Sequence, residues 1–525
     1  MVQCVGSAVF SGFHQCRTLV RSILRNLGLI WISFFLLPLS SFLLLSALVY
    51  QQFFPKKPIW AADRKTILVS SLDTTKGLLL ARAFYLAGHH VIGAGIYKNF
   101  SDALVPGRYS AAVSEYVFLP DPALFGGKER YADSLCYLIK TRRVDMWACV
   151  SGTHTALLDA FAKSHIEATT PCKVLQFPLN IVKQMDSKWD FIRLAKSLAL
   201  DVPETLYITS QSEAVDFFAD KLPPSVGGTF APKQISDNKV RYVLRTTQVD
   251  ELSGERQTDL YPLSTLQATR DSLAKLDIRP GNPWIIQEYI PGIEYRTHSL
   301  IVNGDVRAFA AAETSGMPLP FQALPPYTPA HAHMLQFTKT IAEELKRQSA
   351  SNGQLSFDFI LRDETQLINL VPINCSPRAD TAIVLFSPDL LHLAQAYLSP
   401  ILPKSSCLEK ADFVEEDESE KISCPNRFAG PDGYYWSGND LVVLLVVPLI
   451  KFLTFRITMG ELIRSLKELA RHVLFWKDAG WEVWDPLPWW WGYHVFWVVR
   501  LCECLVGDVR WGKINIATCE IDTSC

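Results

Sequence analysis

The sequence predicts an α/β fold, and two patterns along the chain support this prediction. Between about residues 65 and 152, short apolar runs typical of strands alternate with longer stretches of helical periodicity. Such alternation is typical of a parallel sheet with helices on both faces. From about residue 180 the strands follow one another through turns, which predicts antiparallel pairing and a second unit.

The first unit, predicted over residues 65–180, begins with a strand, a helix and a strand. Its strands are predicted at TILVSSL (66–72), HHVIGAGI (89–96), EYVFLP (115–120) and VDMWACVSG (144–152). Helices are predicted from Thr74 to Leu86, with Gly88 as C-cap, and near 129–142. The turn SSLDTTKG could cradle a phosphate, but it lacks the GxGxxG pattern, so a dinucleotide role is not expected.

The second unit is predicted over residues 181–400 and has a mixed pattern. Helical segments are predicted within DSKWDFIRLAKSLALDVPETLYI (186–208), which ends in a strand, and at about 332–348. Further strands are predicted at GTFAPKQI (228–235), VRYVLR (240–245), the long stretch 283–313, SFDFIL (356–361) and LINLVPIN (367–374). Asn303-Gly304 lies between two alternating runs and is a hairpin signal.

An uncharged apolar run at Leu27–Tyr50 predicts a transmembrane anchor that follows a basic N-terminal segment, residues 1–26. As a helix this run would span about 36 Å, more than the roughly 30 Å hydrocarbon core of a bilayer. A cleaved signal peptide is the alternative. Basic residues flank both ends, so the positive-inside rule does not fix the orientation. If the chain uses ATP, its globular part should face the cytosol.

The last 120 residues change character twice. Residues 404–435 are predicted to be an acidic linker, because KADFVEEDESEK (410–421) is dense in charge and poor in apolar residues. Residues 436–525 are predicted to be an apolar, aromatic helical region. Its stretch WWWGYHVFWVVRLCECLV (489–506) is typical of a membrane interface, with a packed core as the alternative.

Charge and cysteine spacing exclude two classes of function. The formal net charge is −2, and no basic stripe interleaved with aromatics occurs, so nucleic-acid binding is not expected. The twelve cysteines form no CxxC pair with a matching partner pair, which argues against a zinc site.

Charged residues placed on or beside apolar strands indicate a nucleotide site. Lysine and arginine can neutralise phosphate oxygens, and carboxylates can accept ribose hydroxyls or bind Mg²⁺. The candidates are Lys188, Lys233, Glu288, Glu294, Asp358 and Arg378. Surface salt bridges are the alternative for the two lysines, and a turn carboxylate is the alternative for Glu294.

The order of six motifs between about residues 65 and 400 resembles the ATP-grasp superfamily. The motifs are DSKWDF, PxxL, APKQI, QEYIPGIEY, SFDFIL and INCSPRAD. The resemblance implies a pre-ATP-grasp domain and a two-lobed ATP-grasp domain with ATP and Mg²⁺ as cofactors. It also implies a ligase that phosphorylates an acid or enol and joins it to an amine or amino acid through a C–N bond.

The resemblance also implies roles for individual residues. Lys188 and Lys233 would touch the ATP phosphates, and Glu294 would bind the ribose. Asp358 would be a metal ligand, and Arg378 would face the transferred phosphoryl group. The adenine would lie against the segment Gln287, Glu288, Tyr289 and Ile290.

Three features resemble membrane-associated ATP-grasp proteins of secondary metabolism, of the mycosporine-glycine synthase kind: the N-terminal apolar anchor, the strand VDMWACVSG, and the C-terminal WWWGYHVFW followed by WGKINIATCEI. One motif departs from the superfamily, because Asn374 and Ser376 stand where a Glu and an Asn are usual. Both would be neutral oxygen ligands of the metal, which contribute less charge. The departure leaves three interpretations: an enzyme with a softened metal site, a nucleotide-binding pseudoenzyme or membrane scaffold without turnover, and plain strand-end hydrogen bonding.

Overall fold

The computed structural model shows a mixed α/β protein with one parallel sheet, antiparallel sheets and a long N-terminal helix. It describes residues 2–61, 63–124, 126–152, 155–221, 240–247, 259–314, 321–362, 369–401, 422–425, 432–507, 509, 511–512 and 514–521, with side chains from Ser22 onward. The predicted strand 228–235, with Lys233, and the acidic run 410–421 lie outside the described residues.

The N-terminal helix α1 extends over Val2–Phe53. Its part from Ser22 to Phe53 is long and apolar enough to cross a membrane, and 11% of its most apolar window is buried inside the protein. Signal sequences and core helices can pass the same test of length and composition. The low burial shows that most of this apolar surface faces away from the protein.

The α/β unit contains a five-stranded parallel sheet in the order β3-β2-β1-β4-β5. Its elements are β1 (Thr66–Ser70), α2 (Thr75–Leu86), β2 (His90–Tyr97), β3 (Glu115–Pro120), α3 (Gly127–Arg142), β4 (Met146–Ala148), α4 (Ala156–Thr169) and β5 (Lys173–Leu175). The strand predicted at 144–152 is shorter in the structure, because the N–H of Val150 donates to Ser70 Oγ (3.0 Å) instead of to a neighbouring strand.

Alternate residues of β1 face two separate cores. Ile67 and Val69 pack in the core that contains Leu80 of α2. Leu68 packs in the core that contains Leu135 of α3. Because successive side chains on a strand point to opposite faces, this arrangement confirms the prediction of helices on both faces of the sheet.

A small antiparallel sheet in the order β6-β8-β7 follows two short helices. The elements are α5 (Leu179–Asp186), α6 (Lys188–Ser197), β6 (Thr205–Ile208), α7 (Gln211–Lys221), β7 (Arg241–Thr246), α8 (Leu266–Leu273) and β8 (Trp284–Tyr289). The break between the first two helices falls at Ser187, whose side chain accepts from Asp190 N and caps α6. Serine is a preferred N-cap residue, so α6 begins immediately after it.

A larger antiparallel sheet has the order β11-β10-β9-β12-β13. Its elements are β9 (Glu294–Val302), β10 (Asp305–Thr314), β11 (Gln322–Ala323), α9 (Pro329–Arg347), β12 (Gly353–Leu361), β13 (Leu370–Ser376) and, after a 3-10 segment at Thr381–Asp389, α10 (Leu390–Leu398). The predicted hairpin at Asn303-Gly304 is confirmed. Both residues have positive φ, 55° and 82°, as a tight turn between twisted strands requires.

The C-terminal region is helical and packs onto the α/β unit. Its elements are β14 (Tyr434–Tyr435), α11 (Ser437–Asp440), a π-helical segment Leu441–Val446, α12 (Val447–Leu453), α13 (Met459–Phe475), β15 (Lys477–Asp478), α14 (Leu487–Trp491), a π-helical segment Gly492–Phe496, α15 (Trp497–Val506), β16 (Ile514–Asn515) and β17 (Glu520–Ile521). Buried Arg82 of α2 and buried Asp485 form an ion pair of 2.8 Å. Within the stretch 489–506, Phe496 and Trp497 join the core that contains α2, whereas Cys502 and Val506 are exposed.

Candidate functional site

The predicted adenine segment lies where the small sheet meets the large one. Glu288, near the end of β8, accepts from the guanidinium of Arg362, just beyond β12, at 2.8 Å. The same carboxylate accepts from Glu204 N at 3.1 Å. In the turn between β8 and β9, a Cβ on Gly292 would lie 2.1 Å from Leu361 O, so only glycine fits there. The two sheets are therefore tied together at this turn.

Gln287 has an unusual environment in this segment. Its side chain is 1% exposed on the central strand of the small sheet. Within the part of the chain that the structure describes, its Nε2 donor has no acceptor. A buried donor without a partner costs about 1–3 kcal/mol. An acceptor atom of a bound ligand, such as a ring nitrogen of adenine, would remove this cost.

Glu294 begins β9, directly after the same turn. It is exposed, and its Cα is paired with those of Ile360 and Thr314 on the neighbouring strands. Thr314 Oγ1 donates to the backbone carbonyl of Glu294 at 3.1 Å, which fixes the start of the strand. The structure therefore brings Glu294 close to the predicted adenine segment, at an exposed position.

The predicted metal residues lie on β12 and β13, and Asp358 is paired directly with Asn374. The carboxylate of Asp358 already has two donors. Arg296 Nε lies 2.8 Å from its Oδ1, and Asn374 Nδ2 donates to its Oδ2 at 3.2 Å. Asp358 raises the pKa of Arg296 above its usual value. A cation is thus already present beside this carboxylate, and it belongs to the protein.

A magnesium ion does not fit this arrangement of side chains. Among the described residues, no group of three or more His, Cys, Asp or Glu side chains could hold a metal ion. Ser376 is paired with Ser356 further along the strands, and its carbonyl accepts from the N–H of Arg378 at 2.9 Å. Metal binding at Asp358 would require Arg296 and Asn374 to move.

Arg378 lies two residues after the end of β13, and the structure pairs it with a carboxylate from a distant helix. Its NH1 lies 2.8 Å from Oδ1 of Asp186, the last residue of α5, and both side chains are buried. Burying a charge is costly unless it is paired, so Asp186 explains how an arginine can be buried directly after this strand. The guanidinium that the resemblance expects to face a phosphoryl group is therefore also part of a buried ion pair.

The two predicted lysines have different outcomes. Lys188 is the first residue of α6, two positions after Asp186, so it lies close to the Arg378 ion pair. The next residue, Trp189, packs its ring against Tyr207 of β6 at 5.5 Å between centroids, which holds the start of this helix on the small sheet. Lys233 lies outside the described residues.

Sequence reasoning missed two charged residues of this region. Arg296 stands in EYRTHSL on β9, and a charge inside a predicted strand was the signal that could have found it. Lys76 is buried at the start of α2, where its Nζ donates to Ser151 O (3.0 Å) and Ala379 O (2.8 Å). Burial, together with the nearby charge of Arg378, lowers the pKa of Lys76 to about 8.

The turn SSLDTTKG does not offer an open phosphate cradle. Thr74 caps α2 by accepting from Gly77 N at 3.1 Å. The N–H of the following residue, Thr75, donates to Ala517 O of the C-terminal region at 3.0 Å. Cys519 Sγ also lies 2.9 Å from Asp73 O. The C-terminal segment thus occupies the place that a phosphate would need.

No family model and no curated protein matches this chain. Solved structures with a similar arrangement include L-amino acid ligase from Bacillus licheniformis, with 11% identity, 64% of this chain and 75% of that chain covered, and a TM-score of 0.42. N5-carboxyaminoimidazole synthetase from Staphylococcus aureus complexed with ADP is 11% identical, with 66% of this chain and 80% of that chain covered and a TM-score of 0.45. Phosphoribosylglycinamide synthetase from Anaerococcus prevotii is 13% identical, with 64% of this chain and 76% of that chain covered and a TM-score of 0.43. At TM-scores below 0.5, this likeness identifies neither a substrate nor a reaction.

Proposed function

We propose that the chain binds ATP between the small and the large antiparallel sheet and uses it to join an acid or enol to an amine. The observation that supports this most is buried Gln287, whose donor has no acceptor within the described residues. It lies in the strand where the motif order expects the adenine. Glu294 and Lys188 lie at the edges of the same region, where a ribose and phosphates would extend from that base.

In the proposed reaction, an oxygen of the acid or enol attacks the γ-phosphorus of ATP, and ADP leaves. The amine nitrogen then attacks the activated carbon. A C–N bond forms, the bond from carbon to the phosphate oxygen breaks, and the amine gives up a proton. Phosphoryl transfer depends mainly on positioning and charge stabilisation, which Lys188, Lys233 and the guanidinium groups would supply here. ATP-dependent enzymes commonly bind Mg²⁺ together with the nucleotide. The proposed reaction has no step on Mg²⁺, because the arrangement of the expected ligands around Asp358 does not fit this ion.

One observation favours a second function, nucleotide binding without turnover. The carboxylate of Asp358 is neutralised by Arg296 at 2.8 Å and is not open to a metal. A site of this kind could hold ATP as a structural or regulatory ligand. Membrane attachment through α1 would then make the protein a scaffold.

The resemblance to membrane-associated proteins of secondary metabolism supports the other interpretation, a ligase that acts in secondary-metabolite biosynthesis.

Calorimetric titration with ATP tests the binding part of the proposal. Lys188→Ala should weaken ATP binding by about 1.5–3 kcal/mol, the value of a charge-assisted contact. The matched control is Lys196→Ala, an exposed lysine at the other end of the same helix, and it should leave the affinity unchanged. Gln287→Leu should also weaken ATP, because the adenine acceptor loses its donor. Equal affinities in the parent protein and both site variants would contradict nucleotide binding here.

Steady-state ATP consumption with panels of acids and amines separates the two functions. Turnover that needs both an acid and an amine supports the ligase. ATP binding without turnover on any pair, at several magnesium concentrations, supports the non-catalytic alternative. Glu294→Ala should weaken ATP but spare inorganic phosphate analogues, because its expected partner is the ribose.

A further inference from the structure

One face of α1 is polar and packs against the C-terminal region. Asn26, Ser33 and Ser40 follow one another at seven-residue intervals, so they lie on one side of the helix. Asn26 Oδ1 accepts from Trp511 Nε1 at 2.7 Å. Ser33 and Ser40 lie 3.0 Å and 2.5 Å from the two ring nitrogens of His494. This polar seam fixes which side of the helix faces the protein.

The contact extends along the whole apolar part of the helix. At one end, the guanidinium of Arg25 stacks 3.7 Å from the ring of Trp511. At the other end, Gln51 Nε2 donates to Val483 O at 2.6 Å. Between Arg25 and Gln51 the helix is about 39 Å long at 1.5 Å per residue. The protein therefore accompanies α1 over a distance greater than the thickness of a hydrocarbon core.

The opposite face of the same helix is apolar and exposed. Its large side chains are between about half and three quarters exposed: Leu24, Trp31, Phe34, Phe35, Leu39, Phe42, Leu45, Val49 and Phe53. Soluble proteins rarely expose contiguous apolar patches of this kind, and such patches mark protein or membrane contacts.

The layer directly behind α1 carries charges. α15 is fixed to the α/β unit by Glu503, which accepts from Ser101 N and Oγ at 2.9 Å and 2.6 Å. Arg500 pairs with Asp102 at 3.7 Å. If α1 crossed a bilayer, this layer would have to enter the hydrocarbon with it. Charged groups in the membrane interior are expensive, so a crossing helix is disfavoured.

We propose that α1 lies in the plane of the membrane, with its exposed face in one leaflet and its polar seam on the protein. An amphipathic helix in this position needs an apolar face towards lipid and a polar face away from it. The orientation also accounts for the basic residues that lie in sequence at both ends of the apolar run, including Arg17 and Arg21 before it and Lys57 after it. In the plane, both ends stay on the same side of the bilayer and can meet anionic headgroups.

The topology can be tested on the full-length chain with an epitope tag at each terminus, in sealed microsomes treated with protease. An in-plane helix places both tags on the same side, so they should be digested, or protected, together. Protection of one tag while the other is digested would overturn the proposal in favour of a crossing helix. Loss of the N-terminal tag from the membrane-bound protein before protease is added would overturn it in favour of a cleaved signal peptide.

Lipid contact is tested by carbonate extraction of the same membranes. The parent should stay in the pellet, and a variant with Phe35→Asp and Phe42→Asp should move to the soluble fraction. Both positions are exposed, so the fold should persist, which the unfolding temperature verifies. The control Ser164→Asp, on the exposed surface of α4, should pellet like the parent. A soluble parent, or a double variant that still pellets, would show that this face does not hold the chain on lipid.

Discussion

The buried ion pair between Arg378 and Asp186 predicts that replacing this arginine damages the fold as well as any reaction. The resemblance expects Arg378→Ala to lower turnover severely, because the guanidinium would face the transferred phosphoryl group. In the structure the side chains of Arg378 and Asp186 are 6% and 9% exposed. Removal of the arginine would leave a buried carboxylate without its partner.

The expected loss of stability follows from the geometry. At the 2.8 Å separation, the attraction is about 6 kcal/mol with an effective dielectric constant of 20, which is an upper bound on the interaction. Breaking a buried pair by removing one partner typically costs about 3–5 kcal/mol. The entropy of unfolding is about 2.1 cal/mol/K per residue, or roughly 1.1 kcal/mol/K for 525 residues, so each kcal/mol lowers the unfolding temperature by about 1 °C. Arg378→Ala should therefore unfold roughly 3–5 °C below the parent.

The assay combines thermal unfolding with ATP consumption for three variants. Arg378→Met with Asp186→Leu should recover most of the lost stability, since apolar replacement of a buried pair is often neutral or stabilising. If the arginine also contacts the phosphoryl group, this double variant should stay inactive. The exposed pair of Arg347 and Glu344 is the control, and Arg347→Ala should cost less than about 1 kcal/mol. A stable but inactive Arg378→Ala would refute the structural role, and recovery of both stability and turnover in the double variant would refute the catalytic one.

The remaining predictions concern ligand binding, the metal and pH. Lys233→Ala should weaken ATP by about 1.5–3 kcal/mol in calorimetry, as Lys188→Ala should, and unchanged affinity in both would reject the phosphate contacts. If Arg296 neutralises the charge of Asp358, the affinity for ATP should be similar in magnesium and in EDTA. In Arg296→Met the affinity for ATP should depend on magnesium. A strong magnesium dependence in the parent protein would contradict this prediction. Burial raises the pKa of Asp159 from 3.8 to about 6. The folded chain therefore keeps a proton that the unfolded chain loses, and this group's contribution to the free energy of unfolding should fall by up to about 3 kcal/mol from pH 4 to 6. Asp159→Asn should flatten this slope in chemical unfolding, and an unchanged slope would contradict the assignment.

Local pattern predicted the elements well where one physical cause dominates. The strand EYVFLP has the same bounds in the structure as in the prediction, 115–120. The hairpin at Asn303-Gly304 was found because few residue pairs accept positive φ in succession. Within 186–208 the predicted order of a helix and then a strand is confirmed: Ser187 caps α6 (Lys188–Ser197), and β6 (Thr205–Ile208) follows it. Interactions between residues that are close in sequence determine such features, so the sequence alone can predict them.

The partners of the charged residues could not be predicted in this way. Arg378 and Asp186 are 192 positions apart, and nothing near either residue names the other. Arg296 and Asp358 meet only because β9 and β12 are neighbours in the sheet, which the order of motifs does not reveal. A motif therefore names candidate side chains for a site, while the tertiary structure decides which of their charges are paired within the protein.

The C-terminal region shows the same limit for apolar sequence. Density of tryptophan and tyrosine is typical of a membrane interface, and it is equally typical of a large core with polar anchors. The structure distinguishes a membrane interface from a core by the hydrogen-bond acceptors of the indole N–H groups. Trp491 Nε1 donates to Leu104 O of the α/β unit at 3.0 Å, and Trp436 Nε1 donates to Thr75 Oγ1 at 3.0 Å. Indole N–H groups at a membrane interface would face water or headgroups, whereas these two are satisfied inside the protein. These two tryptophans therefore fix the C-terminal region to the α/β unit, whereas Phe455, Leu474 and Val506 of the same region are exposed.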